Sequence, residues 1–248
     1  MTLVKTSAIV LRKIKWSDTS NIVALYTREL GRTDVIAKGA RRTKSPYLGI
    51  LEPLNFVDAI IYKSAKRELQ TLGEVSLETS LQKIRIDMKK TGYAFSILEL
   101  VNAFIFSGDD QQKFFDFLKY MLISMQNSDR PDILLWFFIL KLTSYLGFRP
   151  QFSNCIYCQK TVQNEPVFFR FEDGAIICGK CESGHTGSVK ISSITQKYLT
   201  DLQNTYYKKI LNVMYPQNRD FQYTDFLATY LKYHTDQKLE LKAIKFFT

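Results

Sequence analysis

At 248 residues the chain can bury a real core, as one large domain or two to three small ones. Hydrophobic residues make up 46% of it and aromatics 14%, a globular composition that excludes disorder, and no segment approaches the roughly 18 consecutive apolar residues of a membrane span. The formal charge of +10 favours a polyanion, nucleic acid or anionic lipid, and it is concentrated at the front: residues 1–50 hold ten Lys/Arg against three Asp/Glu, residues 81–189 twelve against eleven, and residues 190–248 nine against five.

Met1-Thr2-Leu3-Val4-Lys5-Thr6 runs straight into strand-like sequence, without the apolar stretch and cleavage site of a secretory signal, which predicts a cytoplasmic protein. Ser7–Leu11, Ser20–Arg28 and Arg32–Lys38 read as strands, the first two split by the polar turn Lys15–Thr19. The cationic stretch Lys38–Pro46, with Gly39 and Pro46, reads as a loop, and Leu54–Lys63 and Glu68–Leu77 as two further strands. Such a set over 1–80 suits a small barrel, of OB-fold or SH3-like type.

From residue 81 the period changes. Tyr93, Ile97, Leu100, Val101 and Phe104, then Phe114, Phe117, Leu118, Met121 and Leu122, recur at helical spacing. Ser107-Gly108-Asp109-Asp110 reads as a capping loop rather than as paired catalytic carboxylates. Ile133–Leu146, apolar on nearly every side, follows Asp129-Arg130-Pro131, where Asp can cap and Pro fits the first turn, and Gly147 should stop it. Residues 192–204 and 222–234 are further helices. The fold class is α+β: a five-stranded barrel over 1–80, a helical domain over 81–150 and 190–248, and a cysteine-bearing insert over 151–189.

All four cysteines fall in that insert. Cys155 and Cys158 are separated by two residues, Cys178 and Cys181 by two, with nineteen residues between the pairs, so two tight turns can aim four thiolates at one ion. This predicts one structural Zn2+ with no coordination position left open. Two disulfides are disfavoured in a cytoplasmic chain, and a redox Cys-x-x-Cys would be single and sit at a helix start. His185 is a weaker alternative ligand.

With strand-rich front, basic loop, helical body and zinc knuckles in this order, the chain resembles the RecO family of DNA repair proteins. Ala8–Leu11 with Asp18-Thr19-Ser20, Tyr26–Gly31, Lys38–Arg42, Leu51–Leu54 and Lys66–Leu69 carry the likeness in the front half; Leu146–Pro150 leading into Cys155, and Tyr230-Leu231-Lys232, carry it further on. The resemblance implies an OB-fold, a helical bundle and a zinc module. It also implies annealing of complementary strands coated by single-stranded DNA-binding protein, and loading of RecA with RecR and, in some cases, RecF. A nucleoid-associated bacterial protein acting on single- and double-stranded DNA follows from the same likeness.

Charge alone supports the barrel as the DNA site. Lys38, Arg41, Arg42 and Lys44 lie on one loop, and Lys13, Lys15, Arg28 and Arg32 on runs that a barrel brings near it, so together they can hold phosphates whatever the sequence. Trp16 and Tyr47 are candidate stacking platforms, each weighed against packing on the barrel. An enzyme finds little support: no phosphate-cradling or dinucleotide motif is present, and only His185 and His234 are available as histidines. The second functional class is a zinc-ribbon adaptor in transcription or translation. The resemblance also implies binding of the acidic, hydrophobic-ended tail of single-stranded DNA-binding protein, for which the candidate surface is Tyr206, Tyr207, Lys208 and Lys209, with Tyr230 and Lys232.

Overall fold

Strands with apolar residues at every second position bury them together by curling round one axis. In the computed structural model, which describes residues 1–104, 110–183, 187–215, 221–235 and 241–245, β1 (Thr2–Lys15), β2 (Asn21–Thr27), β3 (Gly31–Ala37), β4 (Phe56–Lys63) and β5 (Gln70–Thr79) close into a barrel of order β1-β2-β3-β5-β4. β1 serves two neighbours: Thr2–Ile9 pairs antiparallel with β4 and Ala8–Lys15 with β2. β3 meets β5 in parallel at Val35–Gln70 and Ile36–Thr71, which completes an OB-fold. Ala8, Val10, Val23, Leu25, Val35 and Ile61 fill its interior. The first strand outruns the expected Ser7–Leu11 because pairing with both neighbours carries its backbone past the apolar stretch, through Arg12 and Lys15.

The helices are α1 (Gln82–Arg85), α2 (Met88–Phe104), α3 (Gln111–Asn127), α4 (Pro131–Tyr145), α5 (Ser193–Asn204), α6 (Tyr223–Tyr233) and α7 (Lys242–Lys245), with a 3-10 turn at Tyr207–Asn212. By internal contacts the chain divides into two compact units, Met1–Asp129 with the C-terminal segment from Leu241, and Arg130–Glu240.

In the first unit the outer face of the barrel is itself apolar and takes the helices. Phe115 of α3 stacks on Tyr26 at 6.4 Å and meets Phe56 edge-on at 6.4 Å, so the periodic stripe of α3 is buried against strands. Asp110 stands at the N-cap of α3, but its carboxylate accepts from Lys113 (2.7 Å) instead of capping the backbone; Asp109 lies outside the described residues.

The second unit is built on α4, buried on nearly every side and packed against α5 and α6. Pro131 opens it as expected, but the N-cap is Arg130 rather than Asp129, and the Arg130 guanidinium bonds Asp132 in the first turn at 2.7 Å. Gly147, at φ +91°, ends it in the left-handed region that glycine enters without strain. Trp136 donates from Nε1 to Thr224 Oγ1 (2.8 Å), tying α4 to α6. A four-stranded sheet of order β6-β8-β7-β9 completes the unit: β6 (Gln151–Cys155), β7 (Val167–Arg170), β8 (Ala175–Cys178) and β9 (Ser188–Ile191).

Candidate functional site

Parallel pairing of β6 with β8 places the two first cysteines of the pairs, Cys155 and Cys178, at the same end of the sheet, because each closes its strand. The chain then folds back tightly twice. Gln159, at φ +59°, donates its N–H to Cys155 O (2.9 Å), and Cys181 donates its N–H to Cys178 O (3.0 Å). All four cysteines are free thiols, and their Sγ atoms lie within 4.8 Å of one another, Cys158 and Cys178 being 3.8 Å apart. Thiolates about 2.3 Å from one tetrahedral ion stand roughly 3.8 Å apart, so the set has the size of a metal cage.

Its electrostatics agree. Burial pushes the Cys155 thiol up, but backbone N–H groups of Cys158, Cys178 and Tyr157 directed at its sulfur outweigh that and bring it down to about 6. Cys181 is pushed up to about 12, first by hydrogen bonding to Cys178 and then by burial. Four thiols crowded together cannot all ionise without a cation between them, whereas a divalent ion would stabilise every thiolate. His185 lies outside the described residues.

The cationic loop is held by its own arginine. Arg41 donates its backbone N–H to Thr19 O (3.0 Å) and its Nη1 to the carbonyls of Ser17 (2.7 Å) and Asp18 (3.1 Å), fastening the β3–β4 loop to the β1–β2 turn. Lys15, Lys38, Arg42 and Lys44 are exposed around this junction, with Trp16 60% exposed beside Lys15. Among the described residues no carboxylate lies within ion-pair distance of these lysines or of Arg41 and Arg42.

The other three predicted cations are engaged. Lys13 pairs with Glu52; Arg28 meets both oxygens of Asp116 on α3 (3.1 and 3.2 Å); Arg32 pairs with Asp34 (3.3 Å) and donates to Asn102 on α2 (3.3 Å). The two arginines brace the barrel against its helices. Tyr47 likewise belongs to the core: it packs on the barrel interior and its hydroxyl donates to Gly73 O (2.8 Å). Sequence reasoning left out Arg12, exposed on β1, and Lys66 and Arg67, exposed in the β4–β5 segment. The signal was available, since in an OB-fold that loop and the β1–β2 turn flank the binding face.

In the second unit Tyr206 is exposed, its ring 4.6 Å from that of Tyr207, over which Lys208 Nζ sits at 5.9 Å; Lys209, Leu211 and Met214 are exposed close by in sequence. Tyr230 is not part of such a surface. It is 1% exposed, and its hydroxyl donates to Phe148 O (2.6 Å), while Lys232 two residues on is exposed. His234 stacks on Phe148 at 5.3 Å and its Nε2 stands 2.7 Å from Phe171 O, a structural position. No helix among the described residues is long and apolar enough to cross a membrane.

Residues 1–81 match the family model described as Recombination protein O N terminal, and residues 85–243 the one described as Recombination protein O C terminal. The chain is 32% identical over 196 residues to the DNA repair protein RecO of Alkaliphilus metalliredigens, covering 79% of this chain and 78% of that protein. To the DNA repair protein RecO of Caldicellulosiruptor saccharolyticus it is 26% identical over 250 residues, 100% of this chain and 98% of that one. The DNA repair protein RecO of Symbiobacterium thermophilum is 32% identical over 195 residues, 77% and 76% of the two chains.

Proposed function

The chain belongs to the RecO family of DNA repair proteins, and from that premise we propose that it is a recombinational mediator that binds single- and double-stranded DNA and anneals complementary strands without catalysing a covalent reaction. One observation carries the reading: two loops fastened by Arg41 present Lys15, Lys38, Arg42 and Lys44 at one end of an OB-fold, free of acidic partners among the described residues. Annealing needs sequence-blind neutralisation, so that two polyanions approach while their bases stay free to pair. Trp16, exposed on the same turn, supplies a ring for stacking. Lys13, Arg28 and Arg32 would join the phosphate contacts only by leaving Glu52, Asp116 and Asp34, so on this reading they chiefly hold the barrel in shape.

The cysteine cage holds one Zn2+ on this reading, through Cys155, Cys158, Cys178 and Cys181, and the ion's part is to hold the two knuckles together. Four thiolate ligands leave no position for a reacting water. The acidic tail of single-stranded DNA-binding protein docks on the second unit at Tyr206, Tyr207, Lys208 and Lys209, with Lys232 as a further cation. RecR, with RecF as an optional component, joins in loading RecA. The three-part division into barrel, helices and zinc insert describes functional modules on this reading, although α1–α3 pack with the barrel.

Annealing of complementary oligonucleotides coated with single-stranded DNA-binding protein tests the reading. The full chain is expected to accelerate duplex formation at substoichiometric amounts without nucleotide. Inertness in this assay, combined with binding of structured RNA or a polymerase, would establish the zinc-ribbon adaptor instead.

A further inference from the structure

The barrel leaves part of one strand edge open. Ser7 O accepts from Arg28 N (2.9 Å) on the β2 side, whereas Val10 donates to Asn55 O (3.0 Å) and accepts from Leu54 N (3.0 Å) on the β4 side. In a strand, successive residues turn their amide groups to opposite edges, so odd positions before the register slip face β2 and even ones face β4. But β2 ends at Thr27, opposite Ala8. The N–H and C=O groups of Leu3 and Lys5 therefore leave the barrel along an edge that no strand covers among the described residues, and both side chains are exposed. Free rungs of this kind are a template for an added strand.

The surroundings select what is added. The outer face beside this edge forms a groove of about 550 Å³ whose lining includes Lys5, Ser7, Glu29, Asp58 and Glu74, three carboxylates to one ammonium on a molecule of formal charge +10. Asp58 accepts from Ser7 Oγ (2.8 Å). Glu29 Oε2 is shielded from water and no donor reaches it among the described residues, while Arg28 Nη1 stands 3.9 Å from the other oxygen. A shielded carboxylate oxygen without a donor is costly, and a cation arriving beside the partly exposed Glu29 side chain would offset that cost through space. DNA is repelled from such a groove, and a second copy would set two molecules of +10 against each other.

We infer that the edge of β1 at Leu3 and Lys5 binds an extended, cationic segment of a partner protein, which adds as a strand while its lysines or arginines face Glu29 and, across β1, Asp58. Backbone pairing supplies the affinity, and the carboxylates choose the sign of the partner.

Amide hydrogen exchange on the full chain, with a short peptide of alternating lysine and valine as probe, tests this. In the free protein the Leu3 and Lys5 amides should exchange rapidly and those of Val4 and Thr6 slowly. Saturating peptide should slow the first pair by an order of magnitude, and its glutamate-valine counterpart should not bind. Leu3→Pro removes an outward N–H without breaking a rung to β4 and should abolish binding, while Glu29→Gln, alone and with Asp58→Asn, should weaken it and leave DNA affinity unchanged. Should Leu3→Pro disturb the barrel, the amide variants decide. Protection of Leu3 and Lys5 equal to that of Val4 and Thr6 in the free monomer, equal binding of both peptides, or amide variants that bind like wild type would each overturn the proposal. Slow exchange at the edge that tracks self-association would assign it to a second copy and overturn it too.

Discussion

Arg41 and Arg42 are neighbours with different duties. The Arg41 side chain spends its donors on the carbonyls of Ser17 and Asp18, whereas Arg42 and Lys44 are exposed. Removing Arg42 and Lys44 together should therefore weaken DNA binding without altering thermal stability, and should lower the slope of log affinity against log salt by about 1.4 to 1.8, at 0.7 to 0.9 per phosphate contact. Arg41→Ala should cost affinity and also loosen the β1–β2 turn, seen as faster amide exchange at Ser17–Thr19. An unchanged salt slope in the Arg42/Lys44 double variant would reduce the loop to ordinary surface. At the cage, Cys178→Ser removes one of four ligands and should drop bound zinc, measured by elemental analysis, from one per chain to well below it. Wild-type protein purified without chelator and found free of stoichiometric metal would refute the assignment.

Elements show where sequence reading succeeds. The five strands, the helical run of Ile133–Leu146 and the knuckle spacing are legible because each is a local pattern: alternation, 3.6-residue period, or two residues between cysteines. What escaped is set by residues far apart. Arg28 and Arg32 look like free cations until Asp116 and Asn102, on helices many turns later, are placed beside them. Tyr230 sits in the stretch Tyr230-Leu231-Lys232-Tyr233, and only the direction in which α6 buries its apolar face shows that this tyrosine points inward while Tyr233 stays exposed. The β7–β8 turn shows the same dependence. Gly174 has φ +61°, and a Cβ there would lie 2.6 Å from Tyr230 Oη. Gly174→Ala should thus destabilise the protein by about 1 to 3 kcal/mol, the cost of a strained left-handed residue, with steric conflict in addition. Because the closest approach is to the hydroxyl, with Cε2 and Cζ of the ring at 3.3 and 3.4 Å, the penalty should be smaller but not abolished in a Tyr230→Phe background, and a double-mutant cycle by chemical denaturation would expose additivity if it is not.

At the scale of the whole molecule, the chain forms two compact units, and its two tryptophans report on them individually. Trp16 is 60% exposed on the barrel turn, and Trp136 is 5% exposed inside α4, stacked on Tyr215 at 5.7 Å. All four cysteines lie in the second unit, where they join the ends of β6 and β8 and the two turns that follow them. On the proposed reading, metal bound there would add to the folding free energy of that unit, whereas the barrel rests on its strand ladder and an apolar interior that contain no cysteine. Chelation should accordingly lower the unfolding transition of the second unit and leave that of the first in place. In a Trp16→Phe variant, whose emission comes from Trp136 alone, the red shift on heating should move to lower temperature when a strong chelator is present. DNA affinity measured between the two transitions should persist, because the cations that carry it stand on the barrel. Loss of DNA binding in step with the Trp136 red shift would show instead that the phosphate-binding surface depends on the second unit, and the barrel-centred reading of the site would have to be given up.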